Sequence, residues 1–140
     1  MFSFLFFVSS AFACIDMTGT YSCPIDNSPN TEIVDVVTKQ VNGVYIYEVN
    51  GQELPADGLP HSIDTGTSQI TASFVLTCDA QSVTSQDYVV YDMGGHYVAD
   101  TLTIYTLDNY GNMVQDATST IVNADGSVTK EQNQIICERQ

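Results

Sequence analysis

The sequence predicts an all-β domain, an antiparallel meander of about eight to ten short strands. The segment Ile70–Cys78 alternates between two sets of side chains with a period of two, which is typical of a strand with one buried face. Beyond the N-terminus, Thr, Val and Ile are abundant while Ala and Leu are scarce, a composition that suits pleated strands. Several glycines follow Asn or Asp, as in Asn42-Gly43 and Asn50-Gly51, and such pairs favour tight hairpins.

The first element along the chain is a short apolar run, Phe2–Val8, followed by the Ala-x-Ala motif of residues 11–13. This pattern indicates a secretory signal peptide at residues 1–13, although no basic residue precedes the apolar run. Cleavage would leave one domain, residues 14–140, in a secreted or periplasmic protein. The run is too short for a transmembrane span. An alternative use of Cys14, the first residue after cleavage, is a lipid anchor.

Four cysteines follow the signal peptide, and an even number in an exported chain predicts two disulfide bonds. Three pairings are open from the sequence alone. We favour a short N-terminal loop together with a bond from the C-terminal strand to the middle of the chain. The sequence has no Cys-x-x-Cys motif, so it does not suggest redox or zinc chemistry. The favoured pairs are Cys14–Cys23 and Cys78–Cys137.

Three strands are predicted before residue 50, each bounded by turn residues. An irregular proline-containing link separates the first from the second, and an Asn-Gly pair separates the second from the third. Part of the second strand, Val34–Val37, is also compatible with a helical turn. The three predicted strands are Thr18–Cys23, Glu32–Gln40 and Val44–Val49.

Six further strands are predicted after the second Asn-Gly pair. Pro55 and Pro60 flank a loop and make its neighbours edge strands, because proline cannot donate a ladder hydrogen bond. The last two strands carry polar residues on both faces, which suits either exposed hairpin ends or a polar interior. The six predicted strands are Leu59–Asp64, Gln69–Cys78, Ser82–Asp92, Val98–Asp108, Met113–Asn123 and Ser127–Cys137.

The connections between these strands are too short for parallel crossovers, so the strands should pair as an antiparallel meander. No amphipathic helix is visible that could cover one face of the sheet. A sheet without a covering layer buries one face by closing into a barrel or by stacking on a second sheet. We favour an up-and-down barrel, with a two-sheet β-sandwich as the alternative.

The charge balance excludes several classes of partner. The sequence has seventeen acidic residues and three basic ones, Lys39, Lys130 and Arg139, so its net charge is −14. Because nucleic acids and anionic membranes bind basic surfaces, neither is expected as a partner. No catalytic motif surrounds the two histidines, His61 and His96, and we expect no enzyme, cofactor or metal site.

The aromatic residues are the candidate ligand-binding set. The chain has eight tyrosines, no tryptophan and, beyond the signal peptide, a single phenylalanine. A ligand cavity could use their apolar rings and hydroxyl groups, whereas a filled core would place the same rings in mutual contact. The candidate residues are Tyr45, Tyr47, Phe74, Tyr88 and Tyr105.

The segment Gly19-Thr20-Tyr21 resembles the start of lipocalin-like barrels, which open their first strand with Gly-x-Trp. In that family an arginine near the end of the last strand packs over the tryptophan. Here Arg139 would take the place of the arginine, and Tyr21 that of the tryptophan. The resemblance implies a barrel with an open mouth that carries a small apolar molecule.

Two functions therefore remain as hypotheses. The first is a structural or protein-interaction component of the cell envelope or extracellular space, without catalytic activity and with an unknown protein partner. The alternative is a lipocalin-like carrier of a small apolar ligand. A cavity among the candidate aromatic residues would distinguish the carrier from a protein with a filled core.

Overall fold

The computed structural model describes residues 13–25 and 28–140, and these residues form ten antiparallel strands and no helix. The all-β prediction is confirmed. The predicted signal peptide lies outside the described residues except for Ala13. The strands are β1 (Gly19–Pro24), β2 (Thr31–Val41), β3 (Val44–Val49), β4 (Gln52–Pro55), β5 (His61–Ile63), β6 (Ile70–Cys78), β7 (Val83–Tyr91), β8 (Tyr97–Leu107), β9 (Met113–Val122) and β10 (Val128–Arg139).

The ten strands form one sheet in the order β4-β3-β2-β1-β10-β9-β8-β7-β6-β5. All neighbours in this order are consecutive in the chain except β1 and β10, so the meander returns on itself where its first and last strands pair. The sheet curls into a half-barrel, as the predicted meander and barrel-like fold require. The sandwich alternative is not adopted, since the strands belong to a single sheet.

The opening of the half-barrel lies between β4 and β5, the two edge strands of the sheet. These strands adjoin Pro55 and Pro60, as expected from the inability of proline to donate to a ladder. The chain between them bridges the opening, since the Ala56 amide donates to the Tyr45 carbonyl (2.8 Å) and the Gly58 amide to the Leu76 carbonyl (3.0 Å).

The strand β4 was not predicted. It has four residues, two of them exposed, so it shows no alternation that the sequence pattern could reveal. The turn before it was predicted, and its geometry agrees: Asn50 and Gly51 both have positive φ (48° and 84°), as do Asn42 and Gly43 (50° and 81°). This pair of positive φ values is the two-residue hairpin turn that matches the twist of the flanking strands.

All four cysteines are in disulfide bonds, as predicted, but the favoured pairing was wrong. The bonds are Cys14–Cys78 and Cys23–Cys137. The second bond joins β1 to β10 across the point where the meander closes, and its Cα atoms lie 4.2 Å apart. This neighbourhood follows from the closure of the sheet and not from any local sequence signal.

The buried residues concentrate at one end of the half-barrel, where all the longer strands and the N-terminal segment meet. The interior face of β6 is the one expected from its alternation, since Ala72, Phe74 and Leu76 are all buried. The strongest burial is that of Tyr21 and Cys137, both fully enclosed. The core cluster comprises Met17, Tyr21, Cys23, Val36, Tyr47, Phe74, Leu76, Val83, Met113 and Cys137.

Candidate ligand-binding cavity

A cavity of about 280 Å³ lies inside the half-barrel, between the N-terminal segment and the curled sheet. Its volume is close to the lower limit of ordinary small-molecule sites. Most of its walls are aliphatic or thioether side chains, and four of them are valines. The lining residues are Met17, Val34, Val36, Tyr47, Val49, Leu54, Leu76, Val83, Ser85, Tyr105, Met113 and Gln115.

The N-terminal segment before β1 closes one end of the cavity. The buried hydroxyl of Tyr21 donates to the Met17 carbonyl (2.9 Å), and the hydroxyl of Tyr47 donates to the Ile15 carbonyl (2.8 Å). The Ile15 amide in turn donates to the Asp79 carbonyl (2.7 Å) at the end of β6. These hydrogen bonds hold Met17, which is 2% exposed, against the cavity.

The disulfide Cys14–Cys78 fastens the same segment to β6. The sulfur atom of Cys14 is therefore occupied. A thioether-linked lipid would need that same sulfur, so the lipid anchor considered from the sequence is incompatible with this bond.

The residues that carry the lipocalin-like resemblance lie together beside this closed end. The guanidinium carbon of Arg139 lies 5.9 Å from the centre of the Tyr21 ring, and its Nη2 donates to the Thr18 carbonyl (2.9 Å). A Cβ atom at Gly19 would lie 3.2 Å from the same guanidinium carbon. The close approach of arginine to the strand thus favours glycine at this position.

Two side chains with polar end groups, Ser85 and Gln115, also line the cavity. Ser85 lines the cavity, is 7% exposed, and donates its hydroxyl to Oδ1 of Asp87 (3.0 Å). Gln115 also lines the cavity, and its amide nitrogen donates to the Cys137 sulfur (3.3 Å). The lining therefore combines a large apolar surface with two side chains that carry oxygen acceptors.

Burial raises the pKa of three groups in or beside the cavity. Burial raises the pKa of Tyr47 to about 12. Burial also raises the pKa of Tyr105, and the negative charge of Asp87 raises it further. Both hydroxyls hence stay protonated near neutral pH. Burial raises the pKa of the Asp87 carboxyl as well, while the hydrogen bond from Ser85 works in the opposite direction.

The raised pKa of Asp87 leads to a prediction about stability. An acid whose pKa is higher in the folded state binds its proton more tightly there, so its contribution is complete below the ordinary carboxyl pKa and is lost as the pH rises through the raised pKa. We expect Asp87→Asn to raise the free energy of unfolding near neutral pH and to change it little at about pH 3. Urea titrations at the two pH values measure the difference.

The control for this prediction is Asp100→Asn. Asp100 lies next to Thr101, the β8 partner of Asp87, and adjacent side chains in a strand point to opposite faces. The substitution Asp100→Asn therefore removes the same formal charge as Asp87→Asn without changing the interior of the half-barrel. Equal stabilisation by both variants would show that relief of the overall negative charge, and not the buried position of Asp87, is responsible.

Two of the five candidate residues from the sequence, Tyr47 and Tyr105, line the cavity. Phe74 is buried beside it in the core, where its ring stacks on His61 with a centroid distance of 5.4 Å. Tyr45 is half-buried and Tyr88 is 47% exposed, and neither contributes to the lining.

The aliphatic lining residues were not predicted, because the alternation of the strands is the one signal for them in the sequence. Val34 and Val36 share one face of β2, and Val83 and Ser85 share one face of β7. The pattern shows that each pair faces the same way, but it does not show which pairs face a common cavity.

The two histidines contact acidic residues in turns. His61 Nε2 lies 2.9 Å from each carboxylate oxygen of Asp57, and His96 is hydrogen-bonded to Asp92. Within residues 13–25 and 28–140, no group of three His, Cys, Asp or Glu side chains is arranged to hold a metal ion.

The described part of the chain contains no helix long and apolar enough to cross a membrane. Comparison with protein-family models, with curated proteins and with solved structures gives no match to this chain.

Proposed function

We propose that this protein is an exported carrier that binds a small, mainly apolar molecule inside the half-barrel and catalyses no reaction. The single observation that carries the proposal is the cavity of about 280 Å³ between the N-terminal segment and the sheet. This volume equals that of about nine water molecules in the liquid, which is enough for a compact organic molecule of roughly ten non-hydrogen atoms.

The apolar lining of the cavity supports a binding role. The cavity is open on one side, so water can enter it, but most of its walls are aliphatic or thioether side chains that offer this water no hydrogen bonds. Larger aliphatic side chains at the four valines would have filled the space. An apolar ligand would displace the water and bury the apolar walls, at about 25 cal/mol per Å² of apolar surface removed from water.

The export part of the proposal is supported by the two disulfide bonds. Such bonds persist in oxidising compartments and are rare in the cytosol. The predicted signal peptide leads to the same compartments, secreted or periplasmic. The geometry of Gly19, Tyr21 and Arg139 is consistent with the lipocalin-like resemblance, which would also imply a carrier.

A second candidate is the structural or protein-interaction role, and the outer surface favours it. The outward face of β2 exposes Ile33, Val37 and Val41 by 54%, 43% and 46%. A partner with an apolar and basic surface would suit these side chains and the net charge of −14. This role does not account for the cavity, so we place it second.

A pair of neighbouring valines tests the carrier function. Val36 lines the cavity and is 6% exposed, whereas Val37 points outward. We expect Val36→Phe to fill part of the cavity and to weaken binding of phenylpropanol, a probe of about ten non-hydrogen atoms, by at least about tenfold. Isothermal titration calorimetry measures the dissociation constant, which we expect in the micromolar range for the unmodified protein.

Val37→Phe adds the same ring outside the barrel and is the matched control. It should leave the dissociation constant within about twofold of the unmodified protein. Circular dichroism of both variants checks that the sheet is retained. Equal binding by the two variants, or no binding of the probe by the unmodified protein, would contradict the carrier proposal.

A further inference from the structure

The inward face of β7 carries a carboxylate, that of Asp87, just beyond the cavity. Asp87 lies two residues after Ser85 on the same face, and it pairs with Phe74 on β6 and with Thr101 on β8. The N-terminal segment is fastened to Cys78, the β6 partner of Val83, so Asp87 lies four residues further along β7 from this closed end. Asp87 does not itself line the cavity, but Ser85 does, and a ligand that extends past Ser85 along this face would reach the carboxylate.

Within residues 13–25 and 28–140, the Asp87 carboxylate has no cationic partner. Among the residues that the structure describes, the ion pairs are those of Lys39 with Glu48 and Glu53, His61 with Asp57, and His96 with Asp92. In the described part of the chain, Ser85 is the one side chain that donates a hydrogen bond to Asp87. A half-buried carboxylate in this condition is destabilised by loss of hydration, and a bound positive charge would compensate that cost.

The hydroxyl of Ser85 beside Asp87 also suits a donor of hydrogen bonds. Its oxygen lies 3.0 Å from Oδ1 of Asp87 and retains lone pairs beyond the bond that it donates. A protonated primary amine has three donors and could be shared between the carboxylate and this oxygen.

We propose that Asp87 is the head-group anchor of the cavity and that the natural ligand is a small organic cation, an apolar body that ends in a protonated amine. The inference rests on the proposed carrier function and names its ligand class. The net charge of −14 favours the same class, since it raises the concentration of cations near the surface. An inorganic cation is less suitable, because Ca²⁺ takes six to eight oxygen ligands and Asp87 belongs to no cluster of metal-ligating side chains among the described residues.

The test compares three probes that share one body and differ in the head group: phenylpropylamine, phenylpropanol and phenylpropanoate. Isothermal titration calorimetry on the mature, disulfide-bonded protein near neutral pH gives the three dissociation constants. We expect the amine to bind about ten to one hundred times more tightly than the alcohol, and the carboxylate to bind most weakly.

Asp87→Asn should remove most of the amine's advantage, leaving the amine and the alcohol within about threefold of each other. It should leave the affinity for the alcohol within about twofold, which also shows that the cavity has kept its shape. Asp100→Asn removes an equal charge from the neighbouring outward position of the sheet. It should retain the preference for the amine, and so it separates a local anchor from a general field effect.

The outcomes distinguish the two proposals. If the alcohol binds and the amine has no advantage, or if Asp87→Asn keeps that advantage, the anchor proposal is wrong while the carrier function stands. A similar loss of preference in Asp100→Asn would also overturn the anchor. If none of the three probes binds, the carrier function and the anchor both fail.

Discussion

We expect the double substitution Cys23→Ala and Cys137→Ala, which removes the Cys23–Cys137 disulfide, to lower the free energy of unfolding by about 4 kcal/mol. The bond closes a loop of 114 residues, so its loss releases much of the constraint on the unfolded chain. It also crosses the junction of the sheet with the fewest paired residues, since the register joins β1 to β10 through two residue pairs. Both cysteines are buried, and their replacement leaves space in the core. Urea unfolding followed by circular dichroism measures the loss.

The matched control removes the other bond through Cys14→Ala and Cys78→Ala. Its loop of 64 residues differs from that of 114 by only about 0.5 kcal/mol in chain entropy. Cys14 and Cys78 are half-buried and lie outside the junction of β1 and β10. We therefore expect a loss of about 3 kcal/mol for the control. A control that costs as much as the Cys23–Cys137 variant would mean that the junction has no special need for its bond.

The local parts of the fold were predictable because they depend on neighbouring residues. Alternation identified β6 and the face that it buries, and Asn-Gly pairs identified the turns at Gly43 and Gly51. The strand β4 escaped detection because four residues ending in a proline cannot show a period. These predictions use information within about ten residues, which is the range over which strand and turn preferences act.

The disulfide pairing and the cavity depend on contacts between distant parts of the chain, and the sequence could not determine them. Cys23 meets Cys137 because the first strand pairs with the last, and Cys14 meets Cys78 because the N-terminal segment crosses the end of the barrel. The candidate Tyr88 shows the same limitation. The sequence places Tyr88 and Tyr91 on opposite faces of β7, but only the pairing with β6 and β8 establishes which face is inside.

The second large effect is expected at Tyr21, the most deeply buried aromatic residue among those that the structure describes. Its ring is 0% exposed, lies beneath Arg139, and its hydroxyl holds the Met17 carbonyl at 2.9 Å. Tyr21→Ala therefore removes core packing and the support of the N-terminal segment together. We expect a loss of about 3–5 kcal/mol in the free energy of unfolding, as for other large-to-small changes of buried aromatic residues. Urea unfolding followed by circular dichroism measures it.

Two further variants separate the packing of the ring from the action of its hydroxyl. Tyr21→Phe keeps the ring but leaves the Met17 carbonyl without its donor, so it should cost about 1–2 kcal/mol. Tyr88→Ala deletes the same ring from the outward face of β7, where it is 47% exposed, and should cost less than about 1 kcal/mol. A Tyr21→Ala protein as stable as Tyr88→Ala would disprove the supporting role of Tyr21. A Tyr21→Phe protein as unstable as Tyr21→Ala would instead assign that role to the hydroxyl, and the closed end of the cavity would then depend on one hydrogen bond.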